Sequence, residues 1–212
     1  MNKFICFVSS FFLLLSISFN SFSDNQLDNF NSKFAKYKSD PKVRSAKAMV
    51  VNQNNGKVIY QKNAYSEASI ASLTKLMTAM VILDSKIDLK KKIKITKHDI
   101  DRLKGTGSRI PIGTLVTGYD LLKISLMSSD NRAASALSRA YPSGKKGFIK
   151  AMNIKALKLG MHNSKFADPT GLNKRNKSTA RDLVRMVEAA YQYPEIRKIT
   201  TTSQETFRIG KR

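Results

Sequence analysis

The sequence predicts an α+β fold, with a cluster of helices packed on an antiparallel sheet that stays incomplete within these residues. Three observations predict it. Two strand-like segments near residue 50 flank an Asn-Asn-Gly turn. Four later stretches repeat apolar residues with helical spacing. Two strands are a poor sheet for that many helices.

The chain opens on Met1-Asn2-Lys3, a short basic start, followed by a mostly apolar run over residues 4–19. Ser21-Phe22-Ser23 then places small residues at alternate positions, with Asp24 next. This is a signal-peptide pattern over residues 1–23. An anchor helix is the competing reading, but the run is short for a hydrocarbon core of roughly 30 Å. The single cysteine, Cys6, falls inside this segment, so a processed chain has no thiol or disulfide chemistry. Residues 24–45 are polar, contain Pro41, and read as a leader or linker.

The strands come next. Residues 46–52 (AKAMVVN) and 57–61 (KVIYQ) are paired by Asn54-Asn55-Gly56, whose residues tolerate the positive φ that a hairpin requires. Leu73, Leu76, Met77, Met80 and Val81 form the first apolar helix face. Residues 86–109 are lysine-dense; Ile93 and Ile95 alternate as in a short strand, and the stretch ends in the loop Gly105-Thr106-Gly107-Ser108. Thr117 with Asp120 resembles a capping box ahead of Leu121, Leu122, Ile124 and Leu126. An alanine-rich helix is expected over residues 132–140. Phe148, Ile149, Met152, Ala156 and Leu157 predict another, closed by Gly160. Asp168-Pro169-Thr170-Gly171 is a turn, and Thr179 with Asp182 starts a last helix carrying Leu183, Val184, Met186 and Val187.

The formal net charge is +23, with 42% hydrophobic and 25% charged residues. That composition is globular, and the charge attracts polyanions. Nucleic acid is one candidate. However, the sequence holds no zinc finger, RNA-binding signature or aromatic stacking set, so a nucleic-acid partner is not expected. Contact with a membrane is expected at most through an uncleaved signal segment. His98 and His162 lack partners at metal-ligand spacing and read as surface or loop positions. Arg109, Arg132, Lys174, Arg175 and Lys177 could meet an acidic glycan but read as solvated faces.

Two short motifs carry chemistry. Ser72-Leu73-Thr74-Lys75 places a hydroxyl and an amine one helical turn apart. A serine needs such a base to become a nucleophile. Desolvation, the helix N-terminus and nearby cations would lower the lysine pKa. Taken alone, the motif reads as a helix cap and a snorkelling lysine. The same spacing recurs from Ser39 to Lys42, in the leader, and from Ser143 to Lys146, in a turn after Pro142. Only Ser72 opens a strongly apolar helix. Ser129-Asp130-Asn131 lies between two apolar helices, where it can aim a hydroxyl and an amide at a cleft; Ser23-Asp24-Asn25 repeats the tripeptide in the leader.

In this order, the Ser-x-x-Lys and Ser-Asp-Asn motifs are the set of β-lactamases and penicillin-binding proteins. The residues around Ser72 (ASIASLTKLMTAM), the following RLKGTGSR loop, and LMSSDNRAA around Ser129 sharpen the likeness. So do Asp168-Pro169-Thr170-Gly171-Leu172 and Ser178-Thr179-Ala180-Arg181-Asp182-Leu183. The sequence resembles low-molecular-mass penicillin-binding proteins, in their D-alanyl-D-alanine endopeptidase branch, over roughly residues 46–207. The resemblance implies a β-lactamase/transpeptidase-like fold over residues 46–212. It also implies cleavage of peptidoglycan peptides through an acyl-enzyme, in the cell envelope, with β-lactams as covalent inhibitors and no metal or cofactor. Ser72 would be the nucleophile, Lys75 the proton acceptor, Ser129 a proton relay, and Asn131 the residue orienting substrate and Lys75.

The family's third motif, Lys-Thr-Gly, does not occur in the sequence; Lys104-Gly105-Thr106-Gly107 has the wrong order. That motif lies on a strand supplying half of the oxyanion hole, and one lost donor costs about 10²–10³ in rate. The sequence therefore predicts a partial domain with weak activity at most. The competing expectation is a peptidoglycan-binding relative without catalysis.

Overall fold

Helix α1, Thr74–Asp84, is apolar on nearly every side, and a helix of that kind belongs in an interior. The computed structural model, which describes residues 42–207, places it there. It packs against α2 (Gly118–Met127), α3 (Asn131–Arg139), α4 (Gly144–Lys158) and α5 (Ala180–Tyr191). Helix α6, Pro194–Thr201, closes over α2 and α5. Met77, Met80, Leu121, Leu137, Phe148, Met152 and Met186 are fully buried in the resulting core. Each such side chain stabilises the fold by roughly 1.5–3 kcal/mol. Phe148 also meets Tyr141 edge-on, with ring centroids 5.5 Å apart. Residues 43–207 belong to one compact unit. No helix among the described residues is long and apolar enough to cross a membrane. The signal segment, Cys6 and nearly all of the leader lie outside the described residues.

Among the described residues the strands are short and sit in three separate antiparallel pairs. β1 (Ala48–Val51) pairs with β2 (Val58–Lys62), and the Asn54-Asn55-Gly56 turn joins them, with Gly56 at φ +69°. β1 rests on α5. β3 (Ala68–Ser69) pairs with β6 (Lys177–Ser178), and β4 (Lys92–Lys94) with β5 (Leu115–Thr117). Four of these elements go beyond the sequence reading. β3 and β6 are two residues each, too short for any periodicity. β5 was hidden because Thr117 is also the cap of α2, accepting from the Asp120 N–H at 3.1 Å. α6 carries proline in its first turn and few apolar residues.

Helix ends follow local chemistry. α4 closes in a Schellman motif: Gly160, at φ +70°, donates to Leu157 O, and Met161 N–H donates to Ala156 O at 2.9 Å. Its start differs from expectation. Ser143 to Lys146 forms the beginning of α4 and not a turn ahead of it, the two glycines having masked the helix. A helix start therefore does not by itself single out Ser72; Lys146 is exposed, whereas Lys75 is buried.

Candidate active site

Ser72 lies in a 3₁₀ turn, Ala71–Leu73, that runs directly into α1. Lys75 is one turn further and only 3% exposed. Across from them, Ser129 ends the link between α2 and α3, and Asp130 caps α3 by accepting from Ala133 N–H at 2.8 Å. Asn131 is the first residue of α3. Two non-glycine residues here hold left-handed backbone, Ala71 at φ +45° and Ser129 at φ +55°. Such conformations cost on the order of 1–3 kcal/mol and survive only where surroundings enforce them.

The four residues singled out in the sequence meet at one nitrogen. Lys75 Nζ donates to Ser72 Oγ and Ser129 Oγ, both at 3.2 Å, and to Asn131 Oδ1 at 2.7 Å. Ser129 Oγ in turn donates to Ser72 Oγ at 2.8 Å. A fourth acceptor was not foreseen: the backbone carbonyl of Thr170, 2.9 Å from Nζ.

Hydrogen-bond capacity then fixes what the amine can do. A carboxamide oxygen and a peptide carbonyl can only accept. They hold the two short bonds and so claim two of the nitrogen's hydrogens. The remaining tetrahedral position, proton or lone pair, points at the two serine hydroxyls. Burial lowers the Lys75 pKa from 10.5 to about 8, against the opposing pull of Asp168 and Asp130. The direction matches the sequence expectation, but the nearby charges are carboxylates and not cations. About one lysine in ten is then neutral at pH 7.

The Thr170 carbonyl is held by a buried polar knot. Asp168 accepts from Thr170 Oγ1 at 2.7 Å and from Gly171 N–H at 2.8 Å. Asn176, wholly buried, donates to Asp168 and to Thr74 Oγ1 and accepts from the N–H groups of Ala167 and Asp168. Thr78 Oγ1 donates to Pro169 O at 2.7 Å. The turn is thereby clamped against the first two turns of α1. Gly171, at φ +89°, lies so close that a Cβ there would sit 1.9 Å from Ala71 O.

The sequence marked Asp168-Pro169-Thr170-Gly171 as a turn and as part of the family likeness but gave it no role at the site, and nothing in the pattern marked Asn176. His98 and His162 are exposed, as are Arg109, Lys174, Arg175 and Lys177. Arg132 departs from the solvated-face expectation. It is half-buried and its guanidinium donates to Ile110 O, tying α3 to the segment before β5.

A serine, a buried lysine and a second serine joined in one hydrogen-bonded triangle, on an α+β scaffold, form an arrangement with the geometry that serine–lysine acyl transfer requires. Comparison with known proteins names the family. Residues 34–211 match the D-alanyl-D-alanine carboxypeptidase family of peptidases, and the chain belongs to it. The chain is 46% identical to a D-alanyl-D-alanine endopeptidase of Pseudomonas aeruginosa over 164 residues, covering 77% of this chain and 53% of that one. It is likewise 46% identical to a D-alanyl-D-alanine endopeptidase of Escherichia coli over 167 residues, covering 79% and 54%. Among solved structures, a Streptomyces DD-transpeptidase superposes with a TM-score of 0.75 at 31% identity, over 81% of this chain and 70% of that one. The fold is thus β-lactamase/transpeptidase-like. The chain spans about half the length of the curated relatives it matches.

Proposed function

We propose that this chain carries the nucleophile, base and proton relay of a serine D-alanyl-D-alanine peptidase acting on peptidoglycan peptides. The observation that supports it most is the meeting of Ser72, Lys75 and Ser129 within 2.8–3.2 Å of one another around an amine shifted to about 8. In this reading neutral Lys75 takes the Ser72 proton as Oγ attacks the carbonyl carbon of a D-Ala peptide bond. The carbonyl electron pair moves onto oxygen, beside the Ser72 N–H. Collapse expels the amine, which receives a proton through Ser129, and leaves an ester on Ser72. Water then hydrolyses the ester. A β-lactam opens on the same oxygen and remains attached. Asn131 orients Lys75 and the substrate, and no metal or cofactor enters.

Endopeptidase action is favoured over carboxypeptidase action by the relatives. The endopeptidases of Pseudomonas aeruginosa, Escherichia coli and Haemophilus influenzae are 39–46% identical to the chain, against 29% for a Bacillus subtilis carboxypeptidase. We assign residues 1–23 to export into the cell envelope, where the strong positive charge of the remaining chain suits an acidic glycan.

Fluorescent penicillin tests the reading. A covalent adduct on Ser72, located by mass spectrometry and lost in Ser72→Ala, is the expected result. Folded protein without an adduct would instead identify a non-acylating peptidoglycan binder. Export is checked separately by the N-terminal sequence of the secreted chain, expected to begin near Asp24.

A further inference from the structure

The loop between the 3₁₀ turn Lys97–Asp99 and β5 is folded around one carboxylate. Asp101 Oδ1 accepts from the N–H groups of Leu103 and Lys104 at 2.8 and 3.1 Å. Its Oδ2 accepts from the Thr106 N–H at 2.9 Å and from the Thr106 hydroxyl at 2.7 Å. Slight burial pushes the Asp101 carboxyl up, but these hydrogen bonds outweigh it and hold the pKa at about 2. Asp101 is thus an ionised carboxylate and a pure acceptor. The Thr106 hydroxyl must spend its single proton on it.

That commitment reaches the site. Thr106 Oγ1 is left only with lone pairs, and its other neighbour is Asn131 Nδ2, which donates to it at 2.9 Å. A carboxamide that presents its NH₂ to Thr106 must present its oxygen on the other side, to Lys75 Nζ at 2.7 Å. Were the amide reversed, its NH₂ would face the amine. It would then donate to the Lys75 lone pair and occupy the position that otherwise faces Ser72. The same loop and Asn131 line a cleft of about 460 Å³ together with His98, Leu103, Lys145 and Leu172.

We propose that Asp101 and Thr106 are positioning residues that fix the orientation of the Asn131 carboxamide, and through it keep the Lys75 lone pair on Ser72. The relay runs from carboxylate to hydroxyl to amide to amine, each link forced by what its predecessor can no longer donate. The proposal rests on the peptidase reading for its consequence, but its geometry is testable without activity.

Thr106 is exposed, so its substitution spares the core. The test compares the full chain with Thr106→Val, which removes the hydroxyl, and Thr106→Ser, which keeps it. Solvent exchange of the Asn131 side-chain amide protons, followed by NMR in 15N-asparagine-labelled protein, is expected to be slow in wild type and Thr106→Ser. In Thr106→Val it is expected to be at least tenfold faster. Acylation by fluorescent penicillin should fall about 10–100-fold in Thr106→Val, on the scale of losses for a misplaced group, and stay within about twofold in Thr106→Ser. Equal amide exchange in all three proteins overturns the relay. So does a Thr106→Ser variant as impaired as Thr106→Val. If wild type itself takes no penicillin, the peptidase reading fails while the exchange data still decide the relay.

Discussion

Substituting Gly171 by alanine tests how tightly the Asp168–Gly171 turn holds Ser72, the proposed nucleophile. The added Cβ would stand 1.9 Å from the Ala71 carbonyl oxygen, 2.3 Å from its carbon and 3.0 Å from Ser72 N. Ordinary contact begins near 3.5 Å, so one backbone must move by about 1.5 Å. Both partners are main chain, and neither can turn aside as a side chain would. Overpacking of this kind costs about 1–3 kcal/mol. Left-handed backbone at φ +89° adds roughly 1–2 kcal/mol once a Cβ is present. The sum, about 2–5 kcal/mol, corresponds to roughly 5–15 °C in melting temperature for a domain of this size. A shift of the Ala71–Ser72 peptide by even about 1 Å should also slow acylation by around 10². Gly113 supplies the control, since it has the same φ of +89° but no atom within 4 Å of its Cβ position. Thermal melts by circular dichroism and penicillin acylation rates of Gly171→Ala and Gly113→Ala separate strain from clash. Should Gly171→Ala lose no more stability than Gly113→Ala and acylate at the wild-type rate, this turn does not seat Ser72.

Two further outcomes are expected. The unfolded Lys75 keeps its proton up to about pH 10.5 but the folded one releases it at about 8. Between these values the unfolded chain binds more protons, so folding stability should rise with pH by up to roughly 3 kcal/mol. Urea melts at pH 7.5 and pH 10 should show that rise in wild type relative to Lys75→Met; equal pH responses contradict it. Asp99 is 2% exposed and paired with Arg139 at 2.9 Å. Arg139→Ala leaves that carboxylate buried without its cation and should destabilise by about 3 kcal/mol in the same assay, whereas a loss below about 1 kcal/mol would mean water replaces the guanidinium.

What the sequence revealed depended on how local the physics was. The α1 face, the Thr117 and Thr179 caps, the Asn-Asn-Gly hairpin and the Gly160 closure each rest on residues within a few positions of one another. Ser72 and Lys75 were legible for the same reason, and Ser129 with Asn131 because a tripeptide holds both. The remainder of the site is long-range. Thr170 O reaches Lys75 across 95 positions, and Asn176 reaches Thr74 across 102. A backbone carbonyl has no side-chain signature, and a buried asparagine looks in sequence like any other turn residue. Thr106 was read as part of a loop, but its link to Asn131 exists only once α3 is packed beside that loop.

The left-handed backbone at Ala71 and Ser129 also constrains how the protein can drift through mutation. Both positions would relax if replaced by glycine, the one residue that adopts such angles freely. Glycine at position 71 would loosen the backbone next to Ser72, and glycine at position 129 would delete the hydroxyl that donates to Ser72 Oγ. Selection for thermal robustness and selection for the proposed acyl transfer would therefore pull in opposite directions at these two sites. Libraries screened on melting temperature alone should accumulate changes there that silence the chemistry, so any such campaign needs an acylation readout alongside it.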